Sequence, residues 1–175
     1  MRHDLVEKWV KDLSSLLYRD EEANGAIRVR HLSISDYFLS AHCDHQVKLE
    51  DANKQLGITC LKTMVNRLRF NICRLEDSRL ANADVKDLSS RIEQYIYDPL
   101  QYSSLYWSNH FCFTPDNDDQ RVWGSLKEFF EGLFPLFWIE VLSIMGMVPI
   151  AAPSLHRMIF WAKVSTTPVR DWFAF

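Results

Sequence analysis

The stretch IRVRHLSISDYFLSA, residues 27–41, decides how the rest of the chain is read. It predicts a strand that runs straight into a capped helix, with His31 at the junction. In an extended chain Ile27, Val29 and His31 share one face, and Arg28 and Arg30 the other. Ser33 and Asp36 stand in S-x-x-D spacing. The Ser33 hydroxyl can accept from the first free amides of a helix, and Asp36 then falls in its positive first turn. Ile34, Tyr37, Phe38 and Ala41 follow at i, i+3, i+4 and i+7, so this helix is expected to bury one stripe.

Upstream, Leu5, Trp9 and Leu13 recur at i, i+4 and i+8 and predict a short amphipathic helix over 4–13. Residues 15–18 suit the first strand of a hairpin. Residues 20–26 suit its polar loop, in which Asn24-Gly25 offers the positive φ of a tight reversal. Downstream, the pattern turns helical. A helix over 51–70 would bury Leu56, Cys60, Leu61, Met64, Val65 and Leu68 and leave Lys54, Lys62, Arg67 and Arg69 in water. Gly57 costs that helix about 1 kcal/mol against alanine. Asp87 caps a helix to Tyr97, and Asp98-Pro99 breaks the chain before an aromatic-rich helix over 100–113. Asp118 or Asp119 caps the next, over 120–134, and Pro135 kinks the chain or starts another helix through Met145. Pro153 opens the last, over 154–164, and residues 165–175 lose periodicity.

Five glycines in 175 residues disfavour a turn-rich β fold. A net charge of −3 argues against a nucleic-acid footprint. Cys43, Cys60, Cys73 and Cys112 are widely spaced, without a CxxC pair or a secretory leader, as reduced thiols of a cytoplasmic protein would be. A membrane role is disfavoured, because the apolar run over 129–152 is broken by Glu131, Pro135, Glu140 and Pro149.

A strand closing on histidine, then S-x-x-(D/E)-(F/Y)-(F/L), resembles the end of the winged-helix domain in NACHT-type STAND NTPases. The detail is similar to the large fungal members that pair a NACHT domain with WD40 repeats. Further runs keep the family's order: Leu61-x-x-Met64 with Arg69-x-Asn71-Ile72-Cys73, and Asp87-Leu88-x-x-Arg91-Ile92. Leu100-x-Tyr102 with Trp107-x-x-His110 follows, and then Phe137-Trp138-x-Glu140-Val141-Leu142-Ser143. The similarity spans about residues 15–164.

The resemblance implies a mainly α fold: a partial winged helix with one β-hairpin over 1–45, an antiparallel helical array over 46–164, and a tail over 165–175. One helix and one hairpin are less than a whole winged helix, so Met1 is expected to start inside a domain. It also implies that His31 contacts the phosphates of bound ADP when a nucleotide-binding domain is supplied. The sequence has no G-x-x-x-x-G-K-(S/T) loop, no Walker B strand and no repeat near 40 residues. The expected function is therefore a non-catalytic regulatory and interaction region of a STAND receptor. It would hold and relay the state of a nucleotide-binding domain outside this chain, or self-associate. A free-standing helical interaction module or truncated decoy is the alternative.

Other chemistry is thin. His42, Cys43, Asp44 and His45 are metal-binding types, but adjacent residues converge poorly on one tetrahedral ion, and Asp51, His110 or Cys112 would have to complete the set. Neither a G-x-S-x-G run nor a cysteine-nucleophile signature occurs. The expectation is no enzyme, no metal and no cofactor in this chain. The aromatic surplus over 129–161 is divided between ordinary core and an exposed docking face.

Overall fold

A computed structural model describes residues 3–23, 25–77, 79–112 and 119–164. The fold is mainly α with one two-stranded antiparallel hairpin, followed by helices. The chain divides into two compact units, residues 1–49 and 50–175. Asn24, the acidic loop over 114–118 and the tail over 165–175 lie outside the described residues.

In the first unit α1 spans His3–Asp12, β1 Leu17–Asp20, β2 Ala26–Val29 and α2 Leu32–Leu39. Leu17 pairs with Val29 and Asp20 with Ala26. Gly25, at φ 71°, takes the left-handed conformation of the reversal. The first strand thus starts two residues later than its composition suggests.

The apolar stripes of this unit are largely uncovered. Leu5, Trp9 and Leu13 are 43–50% exposed rather than buried, and Val6 and Val10 are the half-buried positions of α1. None of the predicted α2 stripe is buried either: Ile34 is half-buried, while Tyr37 and Phe38 are exposed. Cys43 is the buried hydrophobic residue of this unit among those described.

Helix α3 runs Leu49–Arg67, from the last residue of the first unit into the second, where α4 is Leu88–Tyr95, α5 Asp98–Phe111, α6 Gln120–Glu131, α7 Phe134–Ile144 and α8 Ala151–Val164. Pro99 and Pro135 sit in the first turns of α5 and α7, where a missing N–H costs nothing. Asp119 caps α6, accepting from the Arg121 amide at 2.9 Å. Its carboxyl is held down to about 2, chiefly by the Arg121 guanidinium.

The core is continuous and aromatic. Trp107, Phe111, Phe129 and Trp138 are fully buried with Leu61, Met64, Ile96 and Leu100. Helix α5 lies centrally, packing on α8 and α7, and α6 packs on α7. Ser103, Ser104 and Ser108 are buried on α5, where small side chains leave room for neighbouring helices.

Two α3 positions depart from the amphipathic reading. Leu56 is 44% exposed. Lys54, expected in water, keeps only 12% of its side-chain exposure and lies 3.8 Å from the Asp119 carboxylate. Gly57 has a packing reason: a Cβ there would meet the Phe111 ring at 2.7–3.0 Å. Gly57→Ala, which gains about 1 kcal/mol in an open helix, is therefore expected to lower stability by about 1–3 kcal/mol. Urea denaturation reads the sign directly, and a higher midpoint would refute the close contact.

Candidate functional site

His31 is the N-cap residue of α2, with extended backbone at φ −140°, ψ 137°. The capping group is its own ring rather than the Ser33 hydroxyl predicted from the S-x-x-D spacing. Nδ1 accepts from the Ser33 amide at 3.2 Å and lies 2.7 Å from Ser33 Oγ, which donates to it. With Nδ1 the acceptor, the ring proton resides on Nε2. His31 is exposed, so an Nε2–H donor stands at the positive end of an eight-residue helix. Such a group can donate one hydrogen bond to an anionic oxygen. Beside it, Arg30 donates to the Ser14 carbonyl at 2.7 Å and lies over the Tyr18 ring at 5.5 Å, while Arg28 pairs with Asp20 at 2.6 Å.

The 42–45 cluster does not assemble. Cys43 is buried while His42, Asp44 and His45 are exposed, and Cys43 lies against Tyr37, raising the phenol above its usual range. Among the described residues no three His, Cys, Asp or Glu side chains could share a metal ion. The cysteines are free: Cys43, Cys60 and Cys73 are buried and Cys112 is exposed. Burial raises the Cys60 and Cys73 thiols, which makes them poor nucleophiles near neutral pH.

The runs carrying the family resemblance converge on two polar networks in the second unit. The first closes the turn after α3. Glu140 on α7 accepts from the amides of Asn71 and Ile72 at 3.2 and 3.3 Å. Asn71 is left-handed at φ 49°, and its side chain bonds both the N–H and the C=O of Leu75. From α4, Arg91 donates to the carbonyls of Cys73 and Arg74 and to the Asp87 carboxylate. Asn82 donates to the Ser143 carbonyl at 2.7 Å.

The second network centres on His110, which is only 9% exposed. Its Nδ1–H donates to Asn53 Oδ1 on α3 at 2.9 Å, and Nε2 accepts from the Tyr102 hydroxyl at 2.9 Å. Both ring nitrogens are engaged inside the fold, which leaves the imidazole no free nitrogen for a ligand. Tyr102 and His110 stand eight apart on α5, a spacing that places them about two turns apart on one side. Sequence alone carried no sign of Asn53, which comes from a different helix.

Burial lowers the His110 pKa from its ordinary 6.5. The unfolded chain therefore binds a proton at a pH where the native imidazole stays neutral, so acid favours unfolding. Stability is expected to fall as pH drops from 6.5 toward the lower native value. His110→Gln, which cannot titrate, should flatten that fall. Urea midpoints taken across the window for both chains check it.

No protein-family model, curated protein or solved structure matches the chain. Among the described residues no helix is long and apolar enough to cross a membrane.

Proposed function

We propose that this chain is a non-catalytic regulatory and interaction region of a NACHT-type STAND signalling receptor. It holds a nucleotide-binding domain outside this chain in its closed state and relays its opening. The observation that carries this reading is the uncovered apolar surface around His31. Ile27, Val29, Leu32, Tyr37, Phe38 and Leu39 are each more than a third exposed, within a unit whose described residues include a single buried hydrophobic side chain. Each such side chain gains about 1.5–3 kcal/mol when fully buried, so this surface favours a covering partner. The Nε2–H of His31 stands within it, oriented by the contact to Ser33. Action by contact alone, in a cytoplasmic setting, follows from the same reading.

The test uses the ADP-loaded nucleotide-binding domain of a NACHT–WD40 receptor. The chain is expected to bind it and slow ADP release. His31→Asn keeps a capping acceptor but lacks the Nε2–H, so it should bind and yet lose about tenfold of the retardation, the equivalent of one charge-assisted hydrogen bond. His31→Ala should also lose about 1 kcal/mol of stability with the cap. Unaltered ADP release by a bound His31→Asn chain would reject the phosphate contact.

A free-standing interaction module is the second reading, favoured by the closed aromatic core of the second unit. It requires partner binding that is indifferent to nucleotide.

A further inference from the structure

The C-terminal end of α3 carries a surface that the reading above does not use. A groove of about 510 Å³ is lined by Thr59, Lys62, Thr63, Asn66, Arg67 and Tyr97. None of these is acidic. Among the described residues Lys62 and Arg67 have no ion-pair partner, unlike Lys54 on the same helix. The Arg67 guanidinium lies 5.5 Å from the centroid of the Tyr97 ring. Such stacking leaves the guanidinium edge free to donate to an anion. Asn66 gives one amide hydrogen to the Lys62 carbonyl and keeps the other.

The helix then ends, and Arg69 and Phe70 follow. Phe70 is 76% exposed, the most exposed large hydrophobic residue of those described. This is not a local failure of packing, since Leu68 and Ile72 on either side are buried at 5% and 1%. The backbone just beyond Phe70 is held by Glu140 at the Asn71 and Ile72 amides. An aromatic side chain on a backbone already fixed loses little further entropy when it docks.

We propose that this end of α3 docks an acidic protein segment. Carboxylates lie in the groove of Lys62 and Arg67, and an apolar residue of the partner packs on Phe70. Charge complementarity selects the occupant: Lys62 and Arg67 are two cations of the groove, with no acid among the groove residues. A nucleic acid fits less well, because polyanion binding rests on many phosphate contacts and a basic domain, whereas this chain has a net charge of −3.

The full chain is panned against a displayed library of random dodecapeptides. Enriched peptides should combine Asp or Glu with Phe, Leu or Trp. They should bind the Lys62→Glu/Arg67→Glu chain at least about tenfold more weakly, and Phe70→Ala should weaken them as well. All three positions are exposed, and a matching urea midpoint confirms that the variants fold. The proposal is overturned if nothing is enriched, if enriched peptides lack acids, or if they bind both variants as well as the parent. Tighter binding of polyuridylate RNA than of the enriched peptides also overturns it.

Discussion

Trp138→Ala is expected to lower stability by about 3–5 kcal/mol, among the largest losses a single truncation gives. The side chain is fully buried, and its ring meets Trp107 edge-on at 5.7 Å and Phe129 at 6.4 Å. Alanine would remove these contacts and open a cavity between α5, α6 and α7 that rigid aromatic neighbours cannot fill. The indole N–H also donates to the Ser104 carbonyl at 2.9 Å. Trp107 provides the contrast, since its indole N–H is buried without a partner among the described residues. Trp107→Phe should therefore be tolerated better than Trp138→Phe, by about 1 kcal/mol. Chemical denaturation of the four chains measures both differences. Equal costs for the two phenylalanine variants would remove the hydrogen bond from the account.

Glu140→Ala is the second large effect, about 2–4 kcal/mol, because it strips the acceptor from two backbone amides at once. The Asn71 and Ile72 N–H groups would be left in a part-buried turn whose backbone is already costly at φ 49° for Asn71 and 52° for Arg74. Glu140→Gln retains one acceptor oxygen and should recover part of the loss. Amide hydrogen exchange gives a local readout: the Ile72 N–H should lose protection in the alanine chain well before global unfolding explains it. If exchange at Ile72 is unchanged, the carboxylate does not hold the turn. The same experiment bears on Phe70, whose rigidity depends on that turn.

These two residues also mark where sequence reading stopped. Trp138 and Glu140 stand two apart in the run over 137–143 that is similar to a family pattern. Periodicity places Trp138 inward. It does not say that Glu140, part way round α7, reaches a turn 69 positions earlier. The same holds for His110, whose partner Asn53 lies 57 positions away. Hydrogen bonds of this span leave no local trace, because either residue taken alone looks like an ordinary polar position on a helix.

Local chemistry was legible where one residue acts on its own neighbourhood. Asp119 caps α6, Pro99 and Pro135 start α5 and α7, and Gly25 turns the hairpin, each through a constraint acting within a few bonds. The cap of α2 was misassigned by two positions because an imidazole can take the capping role of a serine hydroxyl, here accepting from the Ser33 amide.

The order of helices and the single hairpin were determined by the sequence itself, since 3.6-residue periodicity, prolines and capping groups act along the chain. Which apolar stripes find cover was decided only by tertiary structure. Leu5, Trp9 and Leu13 have the spacing of buried residues and remain exposed, whereas Lys54 has the character of a surface residue and is nearly buried. Amphipathic spacing states what a helix can bury. Whether a neighbour arrives to bury it depends on contacts between residues far apart in the chain.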